Sequence, residues 1–157
     1  MAVTLDLWET IVRSAGDESR LWAEAASADP EGEAVFSPLG EERYALGLET
    51  IYEGYLLHYG RPRLFEPADA DTTLLLGDYL YAHGLVRIAE AGPVEAVSDL
   101  AALISLCAQL RADRLPGDGE AWAATAATLG RGEDARLRWR PGPEAERALE
   151  KHRLRVR

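Results

Sequence analysis

Residues 72–112 read TTLLLGDYLYAHGLVRIAEAGPVEAVSDLAALISLCAQLRA, and this stretch decides the predicted fold. Apolar residues recur three and four positions apart on both sides of Gly92-Pro93, which is the spacing of two amphipathic helices. Glycine commonly ends a helix and proline commonly starts one, so this dipeptide predicts a tight antiparallel reversal. No stretch of the chain alternates apolar and polar residues as a strand does. We therefore predict an all-α fold, an antiparallel helical bundle.

Start and stop signals divide the rest of the chain into further helices. The clearest start is Ser37-Pro38, in which a capping hydroxyl precedes a proline at the first helical position. Asp69 or Asp71 is the predicted cap of the first hairpin helix. The predicted helices cover about 5–16, 17–28, 37–59, 69–91, 94–114 and 116–130.

The composition indicates one folded domain. Of the 157 residues, 47% are apolar, which suffices for a hydrophobic core. We predict a helical domain over residues 1–130, followed by a basic segment, 131–157, that is partly loop or short helix. No apolar run approaches the ~18 residues that span a bilayer, and Met1–Trp8 lacks a signal-peptide pattern, so we expect a cytoplasmic protein.

Charge is distributed unevenly along the chain. Residues 1–130 carry 22 acidic and 8 basic side chains, whereas residues 131–157 carry 9 basic and 5 acidic ones. An acidic body repels phosphate, so we expect no nucleic-acid role. The basic segment either folds onto the acidic body, stays solvated, or contacts an anionic membrane surface. Its basic residues are Arg131, Arg136, Arg138, Arg140, Arg147, Lys151, Arg153, Arg155 and Arg157.

Four glycines recur at a seven-residue spacing. Gly47 and Gly54 lie in the third predicted helix, and Gly77 and Gly84 lie in the fourth. Each glycine inside a helix costs about 1 kcal/mol relative to alanine. Close approach of two helix backbones would offset that cost, while tolerated surface glycines are the alternative.

Side chains suited to catalysis are scattered rather than clustered. His58, His83 and His152 lie in three different segments, and no nucleotide-binding glycine loop or paired cysteines occur, so we expect no cofactor. Cys107 lies in an apolar run and is predicted to be a buried thiol. Glu66, Asp69 and Asp71 could hold a metal, but helix capping explains them more simply. The tyrosines of the third and fourth helices indicate core packing or a groove for an apolar ligand. They are Tyr44, Tyr52, Tyr55, Tyr59, Tyr79 and Tyr81.

The fifth predicted helix is apolar over more than one face, which favours contacts on two sides. Together with one residue of the fourth helix, this face is the predicted protein interface. The interface residues are Leu80, Val97, Leu103, Ile104, Cys107 and Leu110.

Residues 48–112 resemble part of the trans-isoprenyl diphosphate synthases. Leu48–His58, LETIYEGYLLH, is similar to the helix that ends in the first aspartate-rich motif of that family, and Gly60-Arg61-Pro62 is similar to the segment that follows. Gly77-Asp78-Tyr79-Leu80 resembles the start of a later helix. The resemblance implies the N-terminal half of the isoprenoid synthase fold, with the fourth and fifth helices at a subunit interface.

The aspartate-rich motif itself is missing, because Tyr59 and Gly60 follow His58 directly. Divalent metal stabilises a departing diphosphate, and without those carboxylates nothing places the metal. The resemblance therefore implies a non-catalytic small subunit that packs on a catalytic prenyl diphosphate synthase and influences product length. Two alternatives stay open: a self-associating helical protein, or an enzyme that binds an anionic substrate through Arg61 and Arg63.

Overall fold

The computed structural model describes residues 6–156, and the regular structure within that range is helical. Residues 6–156 contain no β-strand, only two isolated bridges, Ala26 with Phe65 and Gly60 with Val156. The predicted all-α class is confirmed. Leu5 and Arg157, which the sequence patterns assign to the first helix and the basic segment, lie outside the described residues. The α-helices are α1 (Leu7–Glu18), α2 (Arg20–Glu24), α3 (Ala45–Tyr59), α4 (Ala70–Ala91), α5 (Val94–Ala112), α6 (Asp118–Ala127), α7 (Glu133–Arg138) and α8 (Pro143–Arg155).

The centre of the fold is α3, which is buried from Gly47 to Leu57 on every side. A helix that is buried all round must be surrounded by other elements. On one side it contributes Leu48, Ile51 and Tyr55 to the main core, which also includes residues of α5, α6 and α8. On another side Leu57 joins a second core with α1 and α4.

The four glycines bring α3 and α4 together, as predicted. A Cβ atom added to Gly54 would lie 2.9 Å from the carbonyl oxygen of Gly77, and one added to Gly84 would lie 2.3 Å from Cγ1 of Ile51. Neither helix could approach so closely with alanine at these positions. The interpretation of close backbone approach is therefore confirmed.

The start of the third helix differs from the prediction. Residues Ser37–Leu39 and Glu42–Tyr44 form two short 3₁₀ turns, and the α-helix begins only at Ala45. Ser37 caps no helix, since neither the first 3₁₀ turn nor α3 has a side-chain cap. Its hydroxyl instead donates to the buried carboxylate of Glu49, twelve residues away, at 2.5 Å.

Three other helices, α1, α2 and α4, begin at a side-chain cap. Asp69 accepts a hydrogen bond from the backbone N–H of Thr72 at 2.7 Å, so the capping interpretation of Asp69 is confirmed. Ser19 caps α2, which is shorter than the predicted helix over 17–28. The first helix continues past Gly16 to Glu18.

The C-terminal segment is part of the same folded body. Ala148 and Leu149 of α8 are buried in the main core beside residues of α3 and α6. Arg155 is 8% exposed and donates to Glu31 at 2.8 Å. The segment after residue 130 therefore folds onto the acidic body, and residue 130 does not separate two cores.

Candidate functional site: an outer helical face above two buried polar clusters

The first polar cluster surrounds the guanidinium of Arg63, whose side chain is fully buried. It lies 2.7 Å from Glu49 and 3.0 Å from Glu53, and both carboxylates project from α3. Glu53 also accepts hydrogen bonds from the backbone N–H groups of Arg63 and Leu64. We call Ser37, Glu49, Glu53 and Arg63 the Arg63 cluster, and it anchors the loop after α3 to the helix.

The predicted anion site at Arg61 and Arg63 is therefore wrong. Burial alone lowers the pKa of Arg63, but Glu49 and Glu53 outweigh it and hold that pKa above its ordinary value. Its charge is already matched within the chain. Arg61 is exposed and donates to the carbonyl of Leu154 at 2.6 Å. The missed signal was the pair of glutamates four residues apart in an otherwise apolar helix.

The second polar cluster joins α3, α5, α6 and α8. The hydroxyl of Tyr52 lies 2.7 Å from Nδ1 of His152, and Nε2 of His152 lies 3.1 Å from Asp118. Asp118 also accepts hydrogen bonds from Tyr55 and, at 2.7 Å, from Arg111. We call these five residues the Asp118 cluster. Residues 52 and 152 are 100 positions apart, so sequence patterns could not pair them.

The pKa values of this cluster show which protons it holds. Burial raises the pKa of Tyr52 and of Tyr55, so both hydroxyls stay protonated and able to donate. Burial alone raises the pKa of Asp118, but hydrogen bonds from His152, Tyr55 and Arg111 outweigh it and hold that pKa well below its ordinary value. The network is satisfied when Tyr52 donates to Nδ1 of His152 and Nε2–H donates to Asp118.

An acid, an imidazole and a hydroxyl in series could in principle relay a proton. Tyr52 is 1% exposed and His152 is 3% exposed, so no substrate atom reaches that hydroxyl in this conformation. The arrangement is suited to clamping α8 against α3. Charge-assisted hydrogen bonds in a buried setting are among the stronger ones in proteins.

The remaining predicted site residues lie in packed surroundings. His58 stacks at 5.1 Å from Tyr81 and lies 3.0 Å from Asp78. Cys107 is buried, as predicted, and burial raises the pKa of its thiol to about 12, so it is protonated at neutral pH. Tyr44, Tyr52 and Tyr55 belong to the main core. Within residues 6–156, no group of three or more His, Cys, Asp or Glu side chains is placed to hold a metal ion.

The structure corrects half of the predicted interface. Leu80, Leu103 and Cys107 are at most 3% exposed and lie in the cores of this chain. Val97 and Ile104 are half-buried at the edge of the main core, and Leu110 is also half-buried. The wide apolar stripe of α5 is mostly covered by this chain's own helices, which sequence periodicity cannot distinguish from a partner's helices.

The outward-facing residues of α4 and α5 form two rows, which are apolar except for Asp78 and include Val97 and Ile104 of the predicted interface. On α5 they follow an alternating three- and four-residue spacing, at Val94, Val97, Ala101, Ile104 and Ala108. On α4 the same spacing selects Leu75, Asp78, Ala82, Leu85 and Ala89. This alternation is the heptad pattern by which helices pack knobs into holes. We call the two rows the outer seams.

The outer seams are largely exposed. Leu75 is 57% exposed and Val94 is 74% exposed, and the four seam alanines are exposed as well. Leu85, Val97 and Ile104 are half-buried and pack against the main core. At 1.5 Å per residue α5 is about 28 Å long, so the two-helix face covers roughly 600 Å². This area, counted on one partner, is at the lower end of the range for specific protein–protein interfaces.

No helix among residues 6–156 combines the length and the apolar composition that crossing a bilayer requires. Compared with protein-family models, curated proteins and solved structures, the chain has no match.

Proposed function

We propose that this protein is a non-catalytic helical subunit that binds a helical partner protein through the outer seams of α4 and α5. The observation that carries the proposal is the heptad spacing on the exposed faces of two successive helices. Isolated exposed apolar side chains are normal on a protein surface, but two aligned rows of them indicate a contact surface.

The proposed partner is the catalytic subunit of a cytoplasmic prenyl diphosphate synthase, and the product length is the property that binding would influence. This part rests on the resemblance of residues 48–112 to that family. The absence of an aspartate-rich motif directly after His58 supports a non-catalytic role. The end of α3 supports it too, because a Cβ atom on Gly60 would lie 2.5 Å from the carbonyl of Arg155, so α8 covers that position.

Binding can be tested by co-expression with a prenyl diphosphate synthase that carries both aspartate-rich motifs. We expect a complex by size-exclusion chromatography and a change in product chain length. Ala101→Arg should weaken the complex at least about tenfold, because a charge is placed in a dry seam. Leu115→Arg is the matched control, since Leu115 is 55% exposed and lies outside the seams. If both variants bind equally well, the seams are not the interface.

Self-association is the second candidate function, because a second copy would offer seams of the same spacing and most oligomers are two-fold symmetric. Light scattering on the purified chain separates the two. A dimer that Ala101→Arg converts to monomer, and that ignores the synthase, would replace the first proposal.

A further inference from the structure

A groove on the opposite side of α5 from the outer seams has an apolar floor. It lies between α5, α6 and α7 and has a volume of about 320 Å³. Leu103 forms the buried part of its floor, while Leu106 and Leu137 line it with 47% and 65% of their surfaces exposed. Trp139 lines it as well, half-buried. Small-molecule sites are typically concave, largely apolar and about this size or larger.

Positive charge lines the groove next to this apolar floor. Arg136 and Arg140 both line the groove, and Asp99 is the one carboxylate that lines it. Asp99 is matched on both oxygens, since one lies 3.2 Å from Arg136 and the other accepts from the backbone N–H of Gly130. Arg140 donates to the carbonyls of Leu137 and Trp139, which hold it in place without neutralising its charge.

The groove lining therefore has a formal charge of +1 on the surface of a chain whose net charge is −10. An apolar channel beside a guanidinium fits a ligand with a hydrocarbon tail and an anionic head. We propose that the groove between α5, α6 and α7 binds an anionic amphiphile, with its tail over Leu103 and Leu106 and its head at Arg140. This site is separate from the outer seams and does not depend on the proposed function.

The test is calorimetric titration of the full chain with octanoate, below its micellar concentration. We expect saturable binding to octanoate, about tenfold weaker binding to 1-octanol because it lacks the charge, and none to acetate because it lacks the tail. Arg140→Gln should reduce the affinity for octanoate to that for octanol.

Two adjacent alanines of α5 give a matched pair of variants. Ala102 lines the groove and Ala101 lies in an outer seam, and both are exposed. Ala102→Trp should fill the groove and abolish octanoate binding, whereas Ala101→Trp should leave it unchanged. Circular dichroism checks that both variants keep their helices.

Three results would overturn the proposal: no saturable binding of octanoate, equal affinity for octanoate and octanol, or unchanged binding in Ala102→Trp. A different result would assign the groove to a helix of a partner protein. In that case the wild type does not bind octanoate, and Ala102→Trp no longer binds the partner. The seam proposal is tested separately, because it concerns partner binding and its variant is Ala101→Trp. It fails if Ala101→Trp binds the partner as well as the wild type does.

Discussion

The buried surface of α3 and the outer surfaces of α4 and α5 invert the usual distribution of side chains. The buried side chains of α3 include Glu49, Glu53 and two hydrogen-bonded tyrosines. The outer seams instead expose Leu75, Val94 and four alanines to solvent. Every charged side chain inside forms hydrogen bonds within the chain, while most side chains of the outer seams are exposed. Hydrogen-bonded polar groups hold the helices of this fold together, and the exposed apolar rows form the surface that we propose for partner contact.

The largest effect is expected from breaking the Arg63 cluster. Arg63→Met leaves Glu49 and Glu53 buried without a counter-charge, which should cost about 3–5 kcal/mol in the free energy of unfolding. Urea denaturation followed by circular dichroism measures this. Arg61→Met is the control and should cost well under about 1 kcal/mol, because Arg61 is exposed. A smaller loss of unfolding free energy for Arg63→Met than for Arg61→Met would show that the Arg63 cluster does not stabilise the fold.

A leucine pair on α5 compares the inner and outer sides of one helix. Leu103→Ala should destabilise the fold by about 2–5 kcal/mol, because Leu103 is 3% exposed and its loss leaves a cavity. Leu106→Ala should change stability by no more than about 0.5 kcal/mol, because Leu106 is 47% exposed. Thermal unfolding of both variants checks the difference. Leu103→Glu should unfold the chain itself, because it places an unpaired carboxylate in the main core.

The Asp118 cluster predicts a pH dependence of stability. The folded-state pKa of Asp118 lies below the value of about 3.9 in the unfolded chain. Its contribution is therefore complete above that unfolded value and is lost as the pH falls toward the folded value. Asp118→Asn should lower stability at neutral pH by roughly 2 kcal/mol. It should also flatten the fall in urea midpoint between about pH 5 and about pH 2. An equal fall in urea midpoint for the wild type and Asp118→Asn would show that Asp118 does not cause the loss of stability in acid.

The smallest effect concerns the close contact of α3 with α4. In Gly54→Ala the new methyl group meets the Gly77 carbonyl, which is backbone and cannot turn away. Overpacking of about 1–3 kcal/mol should exceed the gain of about 1 kcal/mol in helix propensity, so we expect a small net loss. Gly142→Ala is the control, because nothing lies within 4 Å of its added Cβ. It should change stability by no more than about 0.5 kcal/mol, because the gain in chain entropy is offset by the preference of the α8 N-cap for glycine over alanine. An equal loss in both variants would point away from packing.

Much of the fold follows from local patterns. Gly92-Pro93 marks the α4–α5 turn, Asp69 is a working cap, and the paired glycines mark the α3–α4 contact. These features depend on neighbours within a few residues or on a single helix face, so local sequence patterns predict them. The third helix start was misplaced, because the Ser37 hydroxyl contacts Glu49 twelve residues away, and the local Ser-Pro pattern does not show that contact.

The candidate site was less predictable. A leucine buried by its own chain and a leucine buried by a partner have the same spacing, so Leu80 and Leu103 could not be separated from an interface. The outer seams carry the correct heptad spacing in the sequence, yet nothing there says that they face solvent. Arg63 looked like half of an anion site because the glutamates that neutralise it lie 10 and 14 residues away.

The sequence by itself determined the helices, their turns and the place where two of them meet at glycines, because backbone propensity and steric size act locally. Only the tertiary structure decided which apolar rows are buried, and how Tyr52, Asp118 and His152 meet across 100 positions of chain. Burial and ion pairing depend on what lies across space, and that is a property of the assembled helices rather than of any one of them.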